Sequence, residues 1–373
     1  MQRTFLAIAS SLLALAVTDA CAQPRTASSQ DGPIRVETLA DGLEHPWGLA
    51  FLPDGRMLVT ERPGRLRLVS AEGEISEPLS GLPAIYAESQ GGLLDVKLDP
   101  EFDSNQLVYF SFAEPGEGGA STAVARGRLE GNALQNVEVI FTQQPKVEGG
   151  NHFGSRLAFA PDGKLFITMG ERFKFDPAQE TSNHIGTIVR INPDGSVPED
   201  NPFVGQAGAL PEIWSYGHRN IQAAAIHPDT GALWEAEHGP RGGDELNIAE
   251  AGANYGWPLV SWGVHYDGED IPDPPTRPDL AQSIYQWTPV IGASGMSFYT
   301  GELFPGWQGD LLVGGLVAQA IVRLDQDGTS AEEVERVELG ARIRDVVQGP
   351  DGAVYVLTDH GNGEILRLTP SDR

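Results

Sequence analysis

Residues 155–172 read SRLAFAPDGKLFITMGER. Apolar residues alternate with smaller or polar ones, as at Leu165 and Ile167, on either side of a Pro-Asp-Gly turn. Proline presets φ at the first turn position, and the residues after it supply the positive φ that reverses the chain, so the stretch predicts two antiparallel strands. The same unit recurs as GLAFLPDGRMLVTER at 48–62 and IRDVVQGPDGAVYVLTDH at 343–360. Weaker copies are LLDVKLDPEFDSNQLVYFSF at 93–112 and IQAAAIHPDTGALWEAEH at 221–238. A sixth, GMSFYTGELFPGWQGDLLVGGL at 295–316, keeps the strand-turn-strand rhythm without the turn signature. Six copies over about 320 residues average roughly 50 each, the size of a propeller blade. Such a unit cannot bury its own faces and must stack on its neighbours. No linker-like break in composition divides the chain into two all-β domains or an open sandwich array. The expected fold class is all-β, a six-bladed β-propeller over residues 34–373.

Ahead of the repeats, Arg3 and the apolar run FLAIASSLLALAV at 5–17 predict a signal peptide over residues 1–22. The run is too short to span a bilayer, and Ala20 and Ala22 fit the small-residue positions of a cut before Gln23. Lipidation at Cys21 is the rival reading. Residues 23–33, QPRTASSQDGP, are expected to form a flexible leader. Cys21 is the single cysteine, so the cleaved chain has neither disulfide nor thiolate chemistry, and the expected location is periplasmic or secreted. With 52 acidic against 25 basic residues the formal charge is −27, which excludes nucleic acid and anionic membranes as partners and keeps an exported protein soluble. No later segment approaches a transmembrane helix.

A propeller gathers one end of every blade around a central channel, so polar residues flanking the first strands are the candidates for chemistry. His152 lies in GNHFG at 150–154, where neighbouring glycines allow close approach to a ligand. Glu171 follows the second strand of the same repeat. The antiparallel strands return its carboxylate beside the imidazole, either to fix the tautomer of a base or merely to satisfy a buried polar pair. The loop at 237–247 carries Asp244, Glu245 and Asn247 beside a Gly-Pro turn whose carbonyls are free to point outward. That is an oxygen-rich set suited to calcium, or an acidic surface loop. The histidines lack zinc spacings, and no dinucleotide fingerprint, phosphate loop or nucleophile elbow is present.

The stretches SQGGLLDV at 89–96, GNHFGSRL at 150–157, YGHRN at 216–220, EHGPRGGDELN at 237–247, NYGWP at 254–258, SGM at 294–296 and RIRD at 342–345, in this order, resemble the soluble PQQ-dependent aldose dehydrogenases, also called glucose/sorbosone dehydrogenases. The resemblance runs from Pro46 to Leu368 and implies a six-bladed propeller that oxidises an aldose at its anomeric carbon to a lactone, with pyrroloquinoline quinone (PQQ) and calcium as cofactors. It implies that His152 is the general base, that Glu171 supports it, and that Arg219 stabilises charge on the reacting quinone oxygen. Gln90, Asn220, His238, Tyr266, Gly314, Gly315, Leu316, Arg342 and Arg344 are implied around the cofactor. Gly239 and Pro240 are implied as carbonyl ligands of the catalytic calcium, and Glu245 and Tyr255 as a second, structural calcium site. One departure stands out: Val317 occupies a position where relatives place a lysine, removing a contact of about 1.5–3 kcal/mol. The implied partners are a sugar and a separate electron acceptor, since no haem attachment motif is present; the chain is expected to be a monomer or homodimer. A calcium-dependent propeller lactonase and a non-catalytic binding propeller are the alternatives. Trp257, Trp262 and Tyr285 are either substrate platforms or packing.

Overall fold

The computed structural model describes residues 25–371. The expected signal peptide, its cut before Gln23 and Cys21 lie outside the described residues. Six antiparallel sheets follow one another along the chain. Each quoted repeat forms the first two strands of one sheet, for example Gly154–Phe159 with Leu165–Met169 in the third blade and Ile221–Ile226 with Leu233–Glu237 in the fourth. The six first strands touch in ring order, and Ile343–Gln348 of the last blade returns to Pro46–Phe51 of the first. The chain is therefore a six-bladed β-propeller. Among the described residues the single α-helix is the one-turn Phe102–Asn105.

Alternation along the strands places apolar side chains on both faces of each blade, and six apolar clusters fill the six spaces between neighbouring blades. In the sixth repeat the Pro-Asp-Gly turn is replaced by a longer connection with a short 3-10 turn, Pro305–Trp307, whose Trp307 stacks on Phe304 at 4.3 Å inside one of those clusters. The lost turn signature is thus a longer connection with its own packing.

Residues 25–33 are not a flexible leader. Arg25–Ser29 pairs with Gly32–Leu43, and the latter pairs along Gly363–Pro370 as the fourth strand of the last blade. Ala27 is buried with Ile34 and Val36 in the cluster beside the last blade, which gives this polar-looking stretch an apolar anchor. N- and C-terminal strands thereby close the ring within one sheet.

Every first strand carries a pairing irregularity near its entry, at Trp47-Gly48, Leu94-Asp95, Ser155-Arg156, Gln222, Ser294-Gly295 and Arg344. Bulges re-aim side chains, and here they serve the ring's centre. Arg156, almost fully buried, meets Asp345 at 3.0 Å and Asp95 at 3.4 Å and lies over the Trp47 ring at 4.1 Å. Gly295 leaves room for that cluster, since a Cβ there would stand 1.9 Å from Asp345 Oδ1. Hydroxyls on the second strands satisfy the irregular backbone and tie blade to blade. Thr60 accepts from Gly48 N and donates to Leu94 O; Ser111 accepts from Asp95 N and donates to Ser155 O; Thr168 accepts from Arg156 N and donates to Ile221 O.

Candidate active site

A cavity of about 320 Å³ opens above this floor, and Trp47, Gln222 and Arg344 from three of the irregular positions line it. Loops add Gln90, His238, Gly239, Pro240, Tyr266, Leu316 and Arg342, all singled out in the sequence. They also add Arg62 and Asp359, which sequence reasoning passed over because each looks like the polar end of a repeat.

Asp359 organises one side. Its carboxylate accepts from Arg344 Nη2 at 2.9 Å and reaches Arg342 at 3.4 Å, and it meets His45 Nδ1 at 2.8 Å. Burial would raise its pKa, but Arg344 and the hydrogen bond from His45 outweigh burial and hold the carboxyl well below the usual range. Arg344 also donates to Gln222 at 2.8 Å, while its buried Nε has no partner among the described residues. Arg342 reaches the Leu316 carbonyl at 3.2 Å. The Arg62 side chain has no hydrogen bond or ion pair among the described residues. Val317 contributes an exposed apolar surface to the same wall.

His152 adjoins the cavity without forming its wall. Gln90 links the two, its Oε1 accepting from His152 N at 2.8 Å. His152 sits at φ 52°, and Gly170 is required beneath it, because a Cβ there would stand 2.1 Å from the His152 carbonyl. Arg172 closes the loop by donating to the Asn151 carbonyl and, at 2.6 Å, to that of Gly149. Asn220 accepts from Gly154 N at 3.1 Å, so its side-chain oxygen positions the histidine loop. The imidazole Nδ1 is bonded to Glu171 Oε1, and the other Glu171 oxygen accepts from Lys174 N and Phe175 N at 2.5 and 2.7 Å. Nε2 has no hydrogen-bond partner among the described residues. Burial drives the His152 pKa down to about 4 against the opposing pull of Glu171, with Arg219 lowering it further. Burial would raise Glu171, yet the hydrogen bond from His152, the Phe175 amide and the nearby charge of Arg219 leave it lowered. The pair is thus a neutral imidazole on a buried carboxylate.

Arg219 lies between this cavity and a second one of about 10 Å³, room for one water or ion. It donates to the carbonyls of His238 and Gly239 at 2.8 Å each and to the Tyr266 hydroxyl at 3.1 Å. Of the two carbonyls expected at the catalytic calcium, that of Gly239 accepts the Arg219 guanidinium in this structure, whereas that of Pro240 accepts no hydrogen bond among the described residues. Asp244 is also committed, accepting from Gly239 N at 3.0 Å and Gly292 N at 2.7 Å, so it shapes the turn. Of Gly314, Gly315 and Leu316, only Leu316 lines the cavity. The two glycines belong to Leu311–Gly315 and serve packing, since a Cβ at Gly314 would stand 2.7 Å from Ser294 Oγ and one at Gly315 the same distance from Ala318 Cβ.

Glu245 and Tyr255 line the small cavity. The Glu245 carboxylate has no partner among the described residues, and burial, followed by the charges of Glu237 and Asp244, raises its pKa well above the usual value. The Tyr255 hydroxyl is taken by Ile248 O and Glu250 N, which leaves its backbone carbonyl as the donor. An unpaired carboxylate beside carbonyls suits a hard cation. Trp257 lies under Arg219, its ring centre 5.2 Å from the guanidinium carbon, and Tyr285 packs edge-on against Trp287 at 5.1 Å, so both are packing elements.

The family described as Glucose / Sorbosone dehydrogenase matches residues 43–367. Aldose sugar dehydrogenase YliI of Escherichia coli strain K12 is 45% identical over 345 residues, covering 90% of this chain and 93% of that one. The apo crystal structure of the soluble aldose sugar dehydrogenase of Escherichia coli superposes with a TM-score of 0.87 at 44% identity, over 91% of this chain and all of that one. The PQQ-bound form of aldose sugar dehydrogenase from Streptomyces coelicolor gives 0.74 at 29% identity, over 90% and 98% of the two chains.

Proposed function

The chain belongs to the glucose/sorbosone dehydrogenase family, and on that premise we propose that it is a PQQ-dependent sugar dehydrogenase in which His152 takes the proton from the anomeric hydroxyl of an aldose. The observation that carries this reading is the His152–Glu171 pair, a neutral imidazole with Nε2 unengaged and Nδ1 fixed by a buried carboxylate, beside a cavity lined by Arg62, Arg342 and Arg344.

The residues fit the cofactor. PQQ is planar and carries three carboxylates, which match three arginines, a buried unpartnered Arg344 Nε, and flat apolar walls at Trp47 and Leu316. When bound, PQQ supplies the electrophilic ortho-quinone that accepts the hydride. Glu171 holds His152 in the tautomer with the proton on Nδ1, so Nε2 presents a lone pair. Gln90 fixes the histidine backbone and keeps its own amide nitrogen for substrate or cofactor. Arg219, itself buried, places positive charge beside Tyr266, where it would stabilise a developing oxyanion. A calcium ion beside the cofactor would use the Pro240 carbonyl and, with Arg219 turned away, that of Gly239. A second would use Glu245 and the Tyr255 carbonyl.

Arg156 fills the channel centre with a cation clamped by Asp95 and Asp345, where a propeller lactonase would gather ligands around a metal. We further place the mature chain outside the cytoplasm, on the apolar run at 5–17, with electrons leaving to a separate acceptor. The direct test supplies the purified protein with PQQ, calcium and a panel of aldoses and follows dye reduction. Sugar-dependent reduction that needs both additions is expected; no reduction with any aldose, and no quinone absorbance after desalting, would overturn the reading.

A further inference from the structure

Apolar side chains close the spaces between blades, but the cluster between the third and fourth is the smallest of the six, and polar groups take its place. Along Leu233–Glu237, Trp234 and Ala236 join the apolar cluster against the fifth blade. Glu235 and Glu237 alternate with them onto the opposite face, and their cross-strand neighbours are Asn247 and Glu245. Four polar side chains, three of them carboxylates, therefore share one face of a two-strand ladder. His218, from the loop that enters the fourth blade, packs onto it.

No lysine or arginine pairs with any of the three carboxylates among the described residues. Glu235 and Asn247 are fully buried, and one atom of each, Glu235 Oε2 and Asn247 Oδ1, has no partner among the described residues. Buried carboxylates without counter-charge are strongly unfavourable, so the cluster calls for a cation.

The donors already converge. His218 Nδ1 stands 3.2 Å from Glu237 Oε1 and 3.5 Å from Glu235 Oε1. The Asn247 amide stands 2.9 Å from Glu235 Oε1 and 3.5 Å from Glu237 Oε1, and an amide flip exchanges its nitrogen for the unpartnered oxygen. Donors about 2.0–2.1 Å from a tetrahedral ion stand about 3.3 Å apart, which these separations bracket. The histidine is also oriented. Its Nε2 is bonded to Ser215 Oγ at 2.9 Å, and its ring stacks on Tyr255 at 4.5 Å, leaving Nδ1 to face the carboxylates.

We propose that His218, Glu235, Glu237 and Asn247 bind one divalent transition ion, zinc or manganese(II), inside the fold. An imidazole nitrogen among carboxylates favours such ions over calcium, which takes oxygen donors. The ion would join the third and fourth blades beneath Arg219, whose backbone N–H donates to Glu237 Oε2 at 2.5 Å. This site is independent of the proposed sugar oxidation, and its test involves no turnover.

Mature protein stripped with EDTA is dialysed against calcium with zinc or manganese, desalted, and its metal content measured. Wild type is expected to retain about one equivalent of zinc or manganese. Glu235→Gln is expected to lose that ion and keep its calcium, and Glu245→Gln to do the reverse. A wild type that retains no transition ion overturns the proposal whether or not the variants fold. So does a Glu235→Gln protein that retains as much as wild type. A Glu235→Gln protein that melts higher than wild type, with neither responding to zinc or manganese, would show that a proton on Glu235 neutralises the cluster instead.

Discussion

At His152 two forces oppose each other, and burial wins, leaving a pKa of about 4. The imidazole, the base in the proposed reaction, is therefore neutral at neutral pH, and kcat/KM should stay flat with falling pH until it drops about tenfold per unit below about pH 4. Glu171→Gln removes the upward pull, so its acid limb should lie lower still, while turnover falls about 10²–10⁴-fold through loss of the oriented tautomer. A limb unmoved in that variant would detach Glu171 from the base. The same depressed pKa lowers stability as pH falls from about 6.5 toward 4, where the unfolded chain takes up a proton that the folded chain refuses. His152→Ala should abolish turnover while quinone binding, followed by absorbance, changes little; His152→Asn tolerates the positive φ and guards against a folding defect. Arg62 is the cavity arginine without a partner among the described residues, so Arg62→Ala should weaken quinone binding by about 10- to 100-fold, and Val317→Lys, adding a cation to the same wall, should restore part of it. The histidine and its carboxylate were legible because glycines and strand ends mark them. Arg62 and Asp359 were not, because a sequence shows which residues end a strand but not which of those ends share a cavity.

Paired strands were legible to within a few residues, since the Pro-Asp-Gly turns and the two-residue alternation are local signals. The irregularity that each first strand carries was not legible, because a bulge is a property of two strands in register. Yet the bulges bring Trp47, Gln222 and Arg344 to the cavity and Asp95 and Arg156 beneath it. They leave backbone N–H groups that the ladder cannot satisfy, and the hydroxyls of Thr60, Ser111 and Thr168 fill that need while bonding the next blade. Thr168→Val keeps the shape, removes both bonds and leaves Arg156 N unsatisfied in a fully buried place. It should cost about 1–3 kcal/mol in urea unfolding, with Thr168→Ser losing much less. A Thr168→Val protein that loses less than Thr168→Ser would mean that the methyl group, and not the hydroxyl, carries the effect. Among these elements the 314–316 segment shows the limit of reading residue by residue: three neighbours were expected at the cofactor, but alternation and close packing leave only Leu316 there.

A ring has no strand to spare, and the last blade is completed by residues 32–43 from the other end of the chain. Repeat counting locates six units, but it cannot show that the final one borrows a strand, because the blade partner of Gly32–Leu43, the strand Gly363–Pro370, lies at the other end of the chain and the polar start of the borrowed strand resembles a leader. The arrangement makes closure of the ring a single event that depends on both ends. Ile34, Val36 and Leu43 are buried against that blade and together represent roughly 5–9 kcal/mol of apolar burial, comparable with the whole stability of a typical domain. Removal of residues 25–43 should therefore prevent folding or leave an aggregating chain, since Gly363–Pro370 becomes an uncovered sheet edge. Removal of 25–29 alone deletes only an outermost strand that is mostly exposed and should lower Tm by a few degrees with the cavity intact. A leader cut before Gln23 leaves both strands in place. If the chain lacking 25–43 melts cooperatively near the wild-type temperature, closure through the N-terminal strand is not what holds the ring, and the hydroxyl links and apolar clusters between blades suffice without it.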